Sequence, residues 1–181
     1  IKKYKFLKVK TIAKNIGDGN GIIEGLKIAK GNLIGWTHAD MQTDPLDYLK
    51  AIEIFLENKN KNIFIKGKRI NRKFSDRIFT LGMSVFESIL LNKVMYDINA
   101  QPTLFPKSFF ENWVNPPQDF SLDLYAYNLA ISKNYTIKRF PVKFSKRFSG
   151  YSKWNIDFKS KIRFIKRTII YSLKLKFSKF I

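Results

Sequence analysis

Asp40 and Gln42 stand two residues apart, directly after the short apolar run at residues 33–37. Two oxygen-bearing side chains at the end of a buried strand can ligate Mg2+ or Mn2+, hard ions that prefer oxygen. Such an ion can in turn hold a diphosphate. The same two side chains also suit a second use, capping the helix that follows. That helix is announced by Asp44 at an N-cap, Pro45 at its first position and Asp47 at its third.

The elements that must position this cluster follow from periodicity. Residues 5–13 alternate polar and apolar and predict a strand, and residues 15–21 (NIGDGNG) a turn-rich loop. Residues 21–30 predict a helix ending near Gly31, and residues 33–37 a short strand. The next helix reaches about Asn58 with Leu46, Leu49, Ile52, Phe55 and Leu56 inward. Residues 62–66 predict a strand closed by a Gly67-Lys68-Arg69 turn, and residues 75–91 a long helix. A loop covers 99–106 and a helical turn 107–112. A helix at 120–133 places Leu122, Tyr125, Leu129 and Ala130 inward, and a strand covers 137–144. Alternating strands and helices predict an α/β layered fold with a mostly parallel sheet. Ligands in such folds bind beyond the carboxyl ends of the strands, which is where residues 38–42 and 67–69 fall.

Composition bounds the rest. The 181 residues carry 34 Lys and Arg against 14 Asp and Glu, a net charge of +20, so an anionic partner is expected. The charge is uneven: residues 124–181 hold fifteen Lys and Arg and one acid, Asp157. With no Cys and one His, disulfides, thiolate metal sites and His clusters are excluded. No apolar run approaches the 18 or so residues of a membrane span. From Phe158, apolar residues at 158, 162, 165, 169, 173, 177 and 180 predict an amphipathic helix flanked by Lys and Arg, suited to an anionic membrane interface or to packing on the domain. The boundary is placed at 155/156, separating the main domain at 1–155 from a basic amphipathic membrane-interface tail at 156–181.

Gly19-Asn20-Gly21, Gly25 and Gly31, followed by His38-Ala39-Asp40-Met41-Gln42-Thr43-Asp44-Pro45, resemble the family 2 glycosyltransferases of GT-A fold. The resemblance is closest to the branch that acts on dolichyl or polyprenyl phosphate. Gly67-Lys68-Arg69 resembles that family's G-x-R turn, Asp97 its acidic residue before the acceptor loop, and Phe140-Pro141-Val142 its P-[IV] strand. Residues 147–153 (RFSGYSK) resemble R-x-x-G-x-S-K.

The resemblance implies a nucleotide-sugar donor, a lipid-phosphate or glycan acceptor, and transfer with inversion assisted by Mg2+ or Mn2+ at Asp40 and Gln42. It gives Asp40, Arg69 and Asp97 catalytic roles. His38, Arg69, Arg147, Ser149, Ser152 and Lys153 become contacts to the substrate and its phosphates. Asp97 is the candidate base for a hydroxyl acceptor, with a structural role as the alternative. His38 replaces the first Asp of the family's D-A-D motif and supplies no negative charge. Gln101-Pro102 departs from the family at the acceptor loop. The family's first βαβ unit, about 50 to 60 residues, has no counterpart here, so the chain alone is expected to be inactive. The implied location is the cytoplasmic face of a membrane, peripheral or anchored by a further C-terminal span. An inactive transferase-like domain and a basic nucleic-acid-binding module are the alternatives, the latter lacking any matching motif.

Overall fold

A computed structural model describes residues 5–145, 147 and 158–178. Ten elements follow one another: α1 (Asp18–Ile28), β1 (Leu33–Trp36), α2 (Asp47–Glu57), β2 (Ile63–Ile70), α3 (Phe74–Leu91), β3 (Thr103–Pro106), α4 (Lys107–Glu111), α5 (Leu122–Ser132), β4 (Thr136–Lys143) and α6 (Phe158–Phe177). The four strands form one sheet in the order β1-β3-β2-β4. β2 and β4 pair in parallel, and β3 runs antiparallel to both β1 and β2. Three of the four strands therefore point the same way and bring their carboxyl ends to one side of the sheet.

Period-2 alternation splits β2 between two layers. Ile63 and Ile65 join Leu104, Phe140, Val142 and Ala51 of α2 on one face. Phe64 faces the other way, stacked on Phe105 and Tyr127 and edge-on to Phe109, in the aromatic core beneath α1, α4 and α5. α5 lies so deep that every residue from 121 to 130 is buried, the four inward positions expected there among them.

Several expectations need correction. Residues 5–13 form no strand, and Phe6, Leu7 and Val9 stand exposed, because among the described residues no strand lies beside them. Gly67-Lys68-Arg69 is not a turn but the continuation of β2, paired with residues 140–142 of β4. The glycine is required there because a Cβ at Gly67 would meet the Gln101 carbonyl oxygen at 2.4 Å. The expected loop at 99–106 contains β3, and Gly35 lets it approach β1, since a Cβ there would lie 1.9 Å from the Thr103 oxygen. In α2, Leu46, Leu49 and Leu56 face outward, and Ala51 is the buried apolar residue, with Tyr48, Ile52 and Phe55 packed beside it.

α6 is the expected helix, but the face it docks was not the one expected. Phe164, Ser172 and Leu175 are buried, with Phe164 edge-on to Phe120 at 5.2 Å and Arg167 paired with Asp119 at 3.3 Å. The stripe through Ile162, Leu173 and Phe177 stays exposed. Ser172 Oγ donates to Glu87 Oε1 of α3 at 2.6 Å, while Glu87 Oε2 is buried without a partner. Burial pushes the Glu87 carboxyl up, against the smaller opposite effect of Ser172. Its ionisation thus costs folded stability once pH rises above the ordinary glutamate range. Glu87→Gln keeps an acceptor for Ser172 and is expected to raise the melting temperature at pH 7. Melting curves at falling pH check this: the advantage must shrink toward zero below pH 4.5, where both states of the unmodified chain are protonated.

Candidate functional site

Two clusters meet at the carboxyl ends of β1, β2 and β4. The first is built on the loop after β1. Asp40 Oδ1 accepts from the Gln42 backbone N–H at 3.1 Å, while its Oδ2 faces Arg147 Nη2 at 2.9 Å. Met41 sits between them with φ of 58°, in the left-handed region, which folds the loop back on itself. Gln42 ties this loop to the end of β4. Its Nε2 donates to the Ser145 carbonyl at 3.1 Å, and its own carbonyl accepts from Ser145 N–H at 2.7 Å. The pair Asp40 and Gln42, read in sequence as one ligand set, is thus joined to Arg147 from a hundred residues downstream. His38 lies half-buried on the same loop.

The second cluster is centred on Asp97, which is 1% exposed. Its Oδ2 accepts from Arg69 N–H at 2.9 Å and its Oδ1 from Arg69 Nε at 2.8 Å, with Arg69 Nη2 also on Oδ1. Burial pushes this carboxyl up, but the hydrogen bonds and charge of Arg69 outweigh it and hold it below the ordinary carboxylate range. Asp97 carries φ of 44°, its N–H donates to buried Ser84 Oγ at 3.0 Å, and its carbonyl accepts from Arg139 Nη2 at 3.1 Å. Arg72 adds a third cation, 3.9 Å from Asp97 Oδ1, with Nη1 on Thr80 Oγ1 and Nε buried without a partner. Burial, then the neighbouring Arg69 charge, lowers the Arg72 pKa.

Phe144 couples the clusters. The guanidinium carbons of Arg69 and Arg72 lie 5.2 and 5.5 Å from its ring centre, and the next residue is the Ser145 held by Gln42. Arg69, Arg72 and Arg147 thus share one end of the sheet, where among the described residues Asp40 and Asp97 are the carboxylates within ion-pairing distance of them. Such a surplus of guanidinium groups fits bidentate recognition of phosphate. Ser149, Ser152 and Lys153 lie outside the described residues.

Sequence reading missed three members of this region. Arg139 of β4 braces it from below, donating through Nη2 to the Gly67 carbonyl at 2.7 Å and through Nη1 to that of Tyr96. Arg72 belongs to none of the motifs singled out in the sequence. Lys66 is wholly buried, with Nζ on Thr103 Oγ1 at 2.9 Å and on Asp123 Oδ1 at 3.0 Å. Gln101 Nε2 is 3.5 Å from the other Asp123 oxygen. Burial lowers the Lys66 pKa, and Asp123 opposes that shift. A signal existed for Lys66: alternation within residues 63–66 puts it on the same face as Phe64.

Among the described residues no group of three or more His, Asp or Glu side chains gathers to hold a metal. The donor set at the first cluster is one carboxylate, one carboxamide and one imidazole on a single loop. It fits a divalent ion in one respect: Asp40 Oδ2 already faces a positive charge, the Arg147 guanidinium. The remaining ligands of such an ion would have to come from a diphosphate.

No family model and no curated protein matches the sequence. Among solved structures, glucosyl-3-phosphoglycerate synthase from Mycobacterium tuberculosis matches in its complex with phosphoglyceric acid. The TM-score is 0.64 at 11% identity, over 91% of this chain and 56% of that one. The same enzyme in complex with Mn2+, uridine diphosphate and glucosyl-3-phosphoglycerate matches with a TM-score of 0.63 at the same identity and coverage. The fold is therefore the α/β fold of a GT-A glycosyltransferase. This chain spans 56% of the length of the chains it matches.

Proposed function

We propose that this chain is the metal- and acceptor-side part of a glycosyltransferase, which moves a sugar from a nucleotide-diphosphate donor to a phosphate-bearing acceptor with inversion. The observation that carries the reading is the Asp40 loop, clasped to Arg147 through Gln42 and Ser145 beside the Arg69–Asp97 cluster, at the ligand-binding end of a GT-A sheet. The structurally similar glucosyl-3-phosphoglycerate synthase is seen in complex with Mn2+ and uridine diphosphate, which supports a uridine-diphosphate sugar as donor.

In this reading Asp40, with Gln42 and His38 beside it, would hold Mg2+ or Mn2+, which supplies charge neutralisation for the leaving diphosphate. Arg147 leaves Asp40 for a phosphate oxygen, exchanging one anionic partner for another. Arg72, with its unpartnered Nε, and Arg69 keep the acceptor end positive. Asp97 holds Arg69 and positions it. It does not act as a base, because Arg69 occupies its carboxylate and keeps it ionised and weakly basic. An acceptor that is already an anion needs no strong base, which favours a phosphate nucleophile over a sugar hydroxyl. A polyprenyl or dolichyl phosphate at the cytoplasmic face of a membrane is the acceptor we favour.

The test is transfer of radiolabelled glucose from uridine diphosphoglucose with Mn2+, by the full-length protein. Polyprenyl phosphate and 3-phosphoglycerate are offered in parallel. Label in the lipid fraction is expected. Label in phosphoglycerate alone overturns the lipid acceptor, and label in neither, with the donor unhydrolysed, overturns the transferase reading.

A further inference from the structure

Helix α3 is amphipathic in the wrong sense. Its buried residues are Ser84 and Glu87, both polar. Phe74, Ile78, Leu81, Val85 and Ile89, at steps of four, three, four and four, make one face, and each is 48% to 77% exposed. Single exposed apolar side chains are ordinary on a protein surface, but a five-residue stripe along an 18-residue helix marks an interaction site. The C-terminal end of the stripe abuts α6. Ile89 lines a cleft of about 380 Å³ together with Leu175 and Lys176, and the outer side of α6 presents Ile162, Leu173 and Phe177.

We infer that the joint outer face of α3 and α6 is a docking surface for an anionic lipid bilayer. Charge complementarity selects this occupant. α6 holds seven Lys and Arg and no acid over twenty residues, and Lys73 and Arg77 flank the start of the α3 stripe. An apolar face with a basic border lies in the interface of an anionic membrane. The stripe is largely aliphatic and offers few of the ring faces on which nucleic-acid bases stack. The surface has a direction as well. Phe74 opens α3 two residues after Arg72, whose guanidinium lies against Phe144, so a bilayer along α3 meets the Arg69–Arg72 cluster at headgroup level. Delivery of a lipid phosphate there rests on the transferase reading, whereas the docking does not.

The experiment is co-sedimentation of the 181-residue chain with vesicles of phosphatidylcholine plus phosphatidylglycerol, and with pure phosphatidylcholine, without donor or metal. Binding is expected only to the anionic vesicles. The triple change Leu81→Gln, Val85→Gln and Ile89→Gln keeps good helix formers on α3. It should weaken that binding by at least about tenfold, as loss of three apolar contacts requires. Leu56→Gln, on the exposed side of α2, should leave binding intact, and unchanged melting temperatures verify the fold. Absent vesicle binding, or equal binding by the triple variant, overturns the proposal. So does a lipid-free dimer that the triple variant converts to monomer, because the face then belongs to a second copy. Absence of sugar transfer by the full-length protein, with vesicle binding retained, would overturn only the transferase reading.

Discussion

Replacing Asp40 by alanine is expected to lower sugar transfer on the order of 10²–10³-fold, the range that several kcal/mol of lost charge stabilisation implies. Stability should hardly change. Asp40 and Arg147 form a partly solvated pair, worth about 0–1 kcal/mol, which corresponds to no more than about 4 °C for a domain of this size. The two readouts separate the proposed role from the capping role open to the same residue. A cap contributes to folding and little to turnover. Steady-state transfer with Mn2+ titrated across its range, beside a melting curve, checks both. Unchanged transfer, or a large fall in melting temperature with transfer per folded molecule intact, would sink the metal assignment. Arg147→Ala provides the converse: the Asp40 carboxylate is freed, so half-saturation should need less Mn2+ even as turnover falls.

The second large effect is on stability, at Asp97. Alanine there leaves Arg69 and Arg72 facing each other with no carboxylate between them, and removing one partner of a buried pair costs about 3–5 kcal/mol. A fall in melting temperature on the order of 10 °C follows. The backbone adds to it, because φ of 44° suits Asn or Gly far better than Ala. Asp97→Asn keeps an oxygen for Arg69 and tolerates that φ, so it should recover much of the loss. The same variant decides between base and brace. Loss of a catalytic base costs about 10²–10⁴-fold in turnover, whereas a brace restored by asparagine should cost less than about tenfold. Acid titration supplies the sign. The native Asp97 carboxyl is held low, so its contribution is complete above the ordinary aspartate range and is lost as pH falls through the lower native value. The stability gap between native chain and Asp97→Asn must therefore narrow toward acid pH.

The helices were legible because their periodicity is local: α2, α3 and α5 begin and end within about two residues of expectation. β3 was not, because its four residues TLFP carry no alternation of their own and become a strand only between Gly35 and Gly67. The α2 faces were misjudged for a related reason. Apolar spacing marks a stripe but cannot say what it meets, and the sheet took Ala51 where Leu46, Leu49 and Leu56 were expected. Among the candidate site residues, Asp40 and Gln42 were singled out from type and spacing. Their joining to Ser145 and Arg147 was not, since nothing in a linear pattern reports contacts over a hundred residues. The Arg69 and Asp97 pairing is of the same kind. Each was singled out alone, and only the sheet made them one unit.

By itself the sequence determined the layered α/β class, the acidic loop after the first apolar strand, and a basic final third rich in anion-seeking charge. Those properties are set by side-chain type and short-range period, which folding cannot alter. Tertiary structure decided which cations those acids face, that Lys66 and Glu87 are buried, and that α3 turns its apolar side outward. Those outcomes depend on which element covers which face. That is settled by the competition among all the apolar surfaces of the chain for one core, and the outer stripe of α3 is what this core left exposed.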